Sequence, residues 1–131
     1  MPKQAYSCGL EAALDVVGGK WKVIILWHLA SESRRFGELR RDVAGISEKM
    51  LIQSLRELER DGIVIRKDFQ EVPPRVEYAL TPFGISLTAA LRPLCEWGTK
   101  HMKRIEATKS DGEAATAHRE AVLGKTRRTE F

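Results

Sequence analysis

The segment from Ala44 to Gly62 constrains this chain more than any other. Ala44-Gly45-Ile46 is a short glycine-containing turn, and Ser47 stands where a helix N-cap belongs, its hydroxyl able to satisfy a free backbone amide. The helix that Ser47 opens runs to Asp61 and stops at Gly62, the residue type that takes the left-handed position behind a helix. Leu51, Leu55 and Leu58 recur at i, i+4 and i+7 and form one buried stripe. Just upstream, Phe36, Leu39 and Val43 mark a shorter helix. Two helices joined by a tight glycine turn make a helix-turn-helix unit.

Behind Gly62 the hydrophobic period falls from about 3.6 to 2. Ile63 to Phe69 is rich in β-branched residues and reads as a strand; Arg75 to Leu80 reads as its partner, alternating in and out. Glu71-Val72-Pro73-Pro74 makes the tip, because proline has no amide hydrogen for a ladder. A hairpin directly behind a helix-turn-helix is a wing. Leu10 to Val17 reads as a helix with Leu10, Ala13, Leu14 and Val17 on one face, and Gly18-Gly19 interrupts it. Lys20 to Ala30 is apolar almost all round, which places it in the middle of a core, and Ser31 to Arg35 reads as a loop. Thr81 and Pro82 restart a helix as N-cap and first residue. That helix carries Phe83, Leu87, Ala90, Leu91, Leu94, Trp97, Gly98, His101 and Ile105 along one side, and Pro93 inside it should kink or divide it. The expected fold is mainly α with a small β-hairpin (α+β): a winged helix-turn-helix domain over residues 8–107 with N- and C-terminal dimerisation helices. Residues 108–131 are polar and read as a mostly disordered tail, with a transient helix over Glu113 to Leu123 and a basic end at Lys125, Arg127 and Arg128.

Length and charge narrow the function classes. With 131 residues the chain makes one domain, not two. A net charge of +4 and a pI near 9.3 allow a nucleic-acid partner without demanding one. Residues 20–80 hold twelve basic and ten acidic side chains, so binding there depends on where the charges sit. The longest strongly apolar run, Val23 to Trp27, is far short of the roughly 20 residues that cross a bilayer. Met1 to Gly9 is polar and does not read as a signal peptide, and two cysteines are too few for a disulfide framework; a reducing cytoplasm is expected. Nucleophile elbow, P-loop and dinucleotide loop are all missing, and Gly18-Gly19-Lys20 is too short to cradle a phosphate, so no enzyme is expected. His28, His101 and His118 form no metal pattern with Cys8 and Cys95, and no metal or cofactor is expected.

On the fourth helix, burial of the leucines leaves Ser47, Lys49, Met50, Gln53, Ser54 and Glu57 outward or flanking. Recognition helices touch base edges mainly from their N-terminal part. Lys49 can donate to guanine and Gln53 can pair with an adenine edge, while Met50 either meets a thymine methyl or packs inward. An ordinary solvated face is the plain alternative. Arg66, Lys67 and Arg75 on the wing suit phosphates or a minor groove, although solubility and edge protection explain them equally well. Arg34, Arg35, Arg40 and Arg41 bracket the third helix as further phosphate candidates. Leu10, Leu14 and Val17 on the first helix, and Leu87, Leu91, Leu94 and Trp97 on the last, form stripes that a single module does not fully cover, which suits a dimer interface. Packing of each stripe on its own subunit is the alternative. Cys8 lies at a helix N-terminus, where a thiol is biased toward the reactive thiolate, but a lone cysteine is more often a small buried residue. Cys95 reads as core, as do Trp21, Trp27 and Trp97, although a pocket between dimer helices would suit an aromatic ligand.

Several linked motifs stand in register. They are Cys8-Gly9-Leu10, Gly18-Gly19-Lys20-Trp21, Arg35-Phe36-Gly37-Glu38-Leu39-Arg40, Ile46-Ser47-Glu48-Lys49-Met50-Leu51, the run Leu55 to Gly62, and Val72-Pro73-Pro74-Arg75-Val76-Glu77-Tyr78. Together they closely resemble the HxlR family of bacterial transcriptional regulators, a MarR-like winged-helix group, over roughly residues 8–105. The resemblance implies a cytoplasmic homodimer that binds a palindromic double-stranded DNA operator; our reading is a repressor, with no membrane partner. It also implies release by an electrophile or oxidant at the position matching Cys8, or by a small-molecule effector. The rival reading is a winged-helix module that contacts proteins and has no specific DNA site.

Overall fold

The computed structural model describes residues 5–122, and their side chains through residue 112. In chain order it holds α1 (Gly9–Val17), α2 (Gly19–Leu29), β1 (Arg34–Arg35), α3 (Phe36–Asp42), α4 (Glu48–Arg60), β2 (Val64–Asp68), β3 (Val76–Leu80), α5 (Pro82–Lys100) and α6 (Met102–Val122). This is the winged helix-turn-helix arrangement expected, with one strand more. The chain divides into two compact units after Leu91.

Local chemistry sets the helix ends as the sequence requires. Ser47 Oγ accepts the amide hydrogen of Met50 at 3.0 Å and caps α4, and Gly62 behind it takes φ +76°. Thr81 Oγ1 accepts from the Gly84 amide at 3.0 Å, so α5 starts with Pro82 in its first turn. The core is a single cluster: Ile25, Leu26 and Leu29 of α2, Leu39 of α3, Val43 and Ile46 of the connection, Leu51, Leu55 and Leu58 of α4, and Ile63 and Val64 at the start of the wing. Helix α2 is covered on one side only; Trp27 is 48% exposed and Val23 half-buried, because the partners of α2 lie along Lys22, Ile25, Leu26 and Leu29.

The loop expected over Ser31 to Arg35 ends in a short strand. Arg34 and Arg35 pair antiparallel with Tyr78 and Glu77, giving a three-stranded sheet in the order β1-β3-β2. On the other side β2 pairs with β3 from Val64↔Leu80 to Asp68↔Val76. Strand β3 is therefore central, and its five residues are all half-buried where an in-and-out alternation was expected. A two-residue strand carries too little hydrophobic pattern to be read from sequence; its partner supplies the hydrogen bonds that define it.

Two expectations about the C-terminal half need correction. Pro93 lies inside α5 and neither ends nor divides it; the boundary falls at His101, between α5 and α6. Helix α6 continues past residue 107 to Val122, so residues 108–122 are helical where a mostly disordered tail, with a transient helix over Glu113 to Leu123, was expected. Lys125, Arg127 and Arg128 lie outside the described residues.

One joint ties helix-turn-helix, wing and α5 together. Thr81 donates its amide to Ile63 O at 3.0 Å and its hydroxyl to Gly62 O at 2.6 Å. Gly84, buried in the first turn of α5, packs its Cα against the same Ile63 carbonyl, and a Cβ there would overlap that main-chain oxygen. Backbone cannot retreat as a flexible side chain can. Gly84→Ala should therefore destabilise the fold by about 1–3 kcal/mol or more through overpacking, read as a lower urea midpoint at fixed protein concentration; an unchanged midpoint would contradict this close approach.

Candidate nucleic-acid interface

Helix α4 has two faces. Leu51, Ser54, Leu55 and Leu58 are buried, and Glu48, Lys49, Ile52, Gln53, Arg56, Glu57 and Arg60 line an open concavity on the opposite side. Lys49 and Arg56 are exposed and enter no ion pair among the described residues. With Gln53 between them they present two cations and an amide along the open face, Lys49 and Gln53 in the N-terminal half of the helix and Arg56 beyond its middle.

This divides the candidates. Ser47 is exposed, but its hydroxyl oxygen is engaged in capping. Lys49 and Gln53 stand on the open face as expected. Ser54 does not: it is 1% exposed, three residues after Leu51 and four before Leu58, on the core stripe. Met50 is half-buried and packs against the core, the second of its two readings. Ile52 and Arg56 were missed, although both were signalled by spacing. They sit at i+3 and i+7 from Lys49, the positions that share its face.

The wing is split by its pleat. Register places Arg66 opposite Tyr78 and Lys67 opposite Glu77, so the two basic residues project from opposite faces. Arg66 shares the face of buried Val64 and lines a groove of roughly 510 Å³ with Phe36, Ile52, Arg56, Val76 and Tyr78. Two guanidinium groups, Arg56 from the helix and Arg66 from the wing, thus border one groove together with the carboxylates of Glu48 and Glu59, and the guanidinium groups are the ones suited to a phosphate backbone. Lys67 faces the other way. Arg75 is held by the wing itself: its guanidinium contacts Glu77 Oε2 at 3.0 Å and Glu71 Oε2 at 3.5 Å, and stacks 4.1 Å above the Phe69 ring. The phosphate role expected for Arg75 competes with three contacts that stiffen the hairpin.

Around α3, Arg35 is exposed on β1, and its amide donates to Glu38 Oε1 at 2.8 Å. Arg40 is exposed and pairs at 3.7 Å with Glu48, so it braces α3 against the start of α4. Arg34 is half-buried, 3.9 Å from Asp42, while Arg41 is exposed.

Two carboxylates are tuned by their neighbours. The Lys22 ammonium, then the Gln53 amide, hold Glu57 below its ordinary range against a smaller desolvation effect. A hydrogen bond from the Ser33 hydroxyl at 2.8 Å does the same for Glu77, with Arg75 adding to it and partial burial opposing.

Outside this face, Cys8 is exposed at the N-cap position of α1 with no side-chain capping bond. Cys95 is half-buried. On the stripes proposed for dimerisation, Leu10 (69%), Leu14 (58%), Leu94 (65%) and Trp97 (57%) are open, whereas Val17, Leu87 and Leu91 are half-buried. Leu87 and Leu91 pack against the core of their own unit. Among the described residues no group of His, Cys, Asp or Glu is disposed to hold a metal, and no helix is long and apolar enough to cross a membrane.

Comparison with known proteins gives the family of the chain. The family described as HxlR-like helix-turn-helix matches residues 16–106. The chain is 48% identical over 105 residues to the uncharacterized HTH-type transcriptional regulator YtcD of Bacillus subtilis (strain 168), covering 80% of this chain and 83% of that protein. It is 38% identical over 110 residues to the HTH-type transcriptional regulator YtfH of Escherichia coli (strain K12), covering 84% and 87%. Among solved structures, the redox regulator HypR in its reduced form superposes with a TM-score of 0.71 at 44% identity, over 76% of this chain and 99% of that one. HypR in its oxidized form gives 0.68 at 47%, over 71% and 96%.

The two tuned carboxylates predict a pH dependence. A folded-state pKa below the unfolded value means that the folded chain binds fewer protons, so their contribution is complete above the ordinary carboxylate value of 4.5 and is lost as pH falls through the lowered folded values. A Glu57→Gln, Glu77→Gln double variant should be less stable than wild type near neutral pH and should lose less on acidification below 4.5. Urea midpoints across that range check it; parallel curves would contradict it.

Proposed function

This chain belongs to the HxlR-like helix-turn-helix family, and we propose that it is a sequence-specific DNA-binding transcriptional regulator, acting as a homodimeric repressor on a palindromic operator. The observation that carries this reading is the open face of α4, where Lys49, Gln53 and Arg56 lie beside a groove that Arg66 borders from the wing. Base edges would be read by Lys49 and Gln53, and the phosphate backbone would be gripped by Arg56 and Arg66. Relatives at up to half identity are named as HTH-type transcriptional regulators, which supports the class of activity. The open leucines of α1 and the open Leu94 and Trp97 support a second copy as partner, and two-fold symmetry would set paired recognition helices one DNA turn, roughly 34 Å, apart.

Fluorescence anisotropy with duplex from upstream of the chain's own gene, against an unrelated duplex and across a salt series, tests the reading. Tight binding to the first duplex alone is expected, with log K falling linearly with log salt. Lys49→Ala should cost about 1–3 kcal/mol of specific affinity, and Arg56→Ala or Arg66→Ala should reduce the salt slope by about 1 each. Equal, weak and salt-insensitive binding to both duplexes would favour a protein-contacting winged module instead.

Cys8 is the proposed point of control. It is exposed at the start of α1, and solved structures of the relative HypR include a reduced and an oxidized form. Modification there by an oxidant or electrophile would shift the dimer between two arrangements of unequal operator affinity. A small ligand between the dimer helices is the second route. Diamide should release wild type from its operator and leave Cys8→Ser bound; release that persists in Cys8→Ser would remove this cysteine from the mechanism.

A further inference from the structure

Lys22 is an unusual residue for its position. It lies on the buried stripe of α2 with Ile25, Leu26 and Leu29, and only 9% of it is exposed. Long cations are kept in such a place when a partner compensates their lost hydration. Here the ammonium reaches across to α4 and meets Glu57 Oε1 at 2.7 Å. The other carboxylate oxygen, Oε2, accepts a hydrogen bond from Gln53 Nε2 at 3.2 Å, one helical turn earlier. A buried cation, a half-buried anion and an exposed amide thus form one line from the core to the open face.

The line fixes the amide. An ionised carboxylate only accepts hydrogen bonds, so the NH2 end of Gln53 turns toward Glu57 and its Oε1 turns away. The same contacts favour the ionised state of Glu57. Without this tether the amide of an exposed glutamine rotates freely and presents either end. With it, Oε1 and the remaining N–H are offered outward side by side, the acceptor–donor pair that matches N6 and N7 of adenine.

From this chain of contacts, and resting on the DNA-binding reading above, we propose that Lys22 is a positioning residue for base readout: through Glu57 it orients the Gln53 amide to select adenine at one position of each half-site. Lys22 touches no DNA in this scheme. It sets specificity by denying Gln53 its other orientations, and the entropy of ordering that side chain is met on folding, before any DNA is bound.

Selection from a random duplex library, using the full chain, tests this. Wild type, Gln53→Ala and Lys22→Met are compared, followed by affinities for single-base variants of the selected site. Methionine fills the lysine's space with an apolar chain, and the Glu57 carboxylate it leaves unpaired is 30% open to solvent. Gln53→Ala should lose the adenine preference at one position of each half-site. Lys22→Met should lose it at that same position, by roughly tenfold in affinity ratio, while its preferences elsewhere and its salt slope stay those of wild type. The double variant Lys22→Met, Glu57→Ala, which leaves neither charge unpaired and no acceptor for the Gln53 amide, should relax the same position and serves if Lys22→Met alone does not fold. The proposal is overturned if Gln53→Ala alone relaxes that position, if Gln53→Ala changes no preference, or if Lys22→Met weakens all sequences uniformly, as a merely structural lysine would. A wild type that selects no sequence at all would overturn the regulator reading itself, and this proposal with it.

Discussion

The winged module depends on one close contact between backbones. Ile63 O accepts the Thr81 amide, and Gly84 lies against the same carbonyl with no room for a Cβ. Ile63 follows the glycine that ends the recognition helix, while Thr81 ends the wing and caps α5. That carbonyl is therefore shared by the exit of α4, both ends of the hairpin and the start of α5. Moving any of them moves all. The groove between Arg56 and Arg66 lies between the two elements, α4 and the wing, that this joint connects.

Polar groups play three distinct parts around α4. Some end the helix, as Ser47 does, and their hydrogen bonds are complete within the chain. Some brace its surroundings: Arg40 on Glu48, Arg75 between Glu71 and Glu77 over the Phe69 ring. Lys49 and Arg56 enter no ion pair among the described residues, and they occupy the helix face opposite the leucines. Net charge says little about such a surface, since twelve basic and ten acidic residues nearly cancel over residues 20–80. What matters is which cations the fold has already paired.

Much of the fold was legible because it is written in local rules. Ser47, Gly62, Thr81 and Pro82 mark helix ends through hydrogen bonds that close within a few residues, and the leucine spacing of α4 needs only the helical period. The misses are non-local. Strand β1 exists because β3 pairs with it, Arg34 and Tyr78 lying 44 residues apart in sequence yet adjacent in the sheet. Ser54 looked like a surface residue by type and lay on the buried stripe by position. Pro93 was expected to kink or divide its helix, and α5 continues through it undivided. At the candidate interface Lys49 and Gln53 were found from the helix face, whereas Ile52 and Arg56 on that same face were passed over.

The sequence by itself determined the order of elements, the helix ends, the leucine face of α4 and the family to which the motifs point, since each of these rests on periodicity or on hydrogen bonds between near neighbours. Tertiary structure alone decided how the charges are distributed. It brought the buried Lys22 to Glu57 and so to Gln53, the Ser33 hydroxyl to Glu77, and Arg66 of the wing to the groove that Arg56 borders. The physical reason is range: an ion pair forms between residues distant along the chain only where packing of the core has first fixed the distance between their backbones.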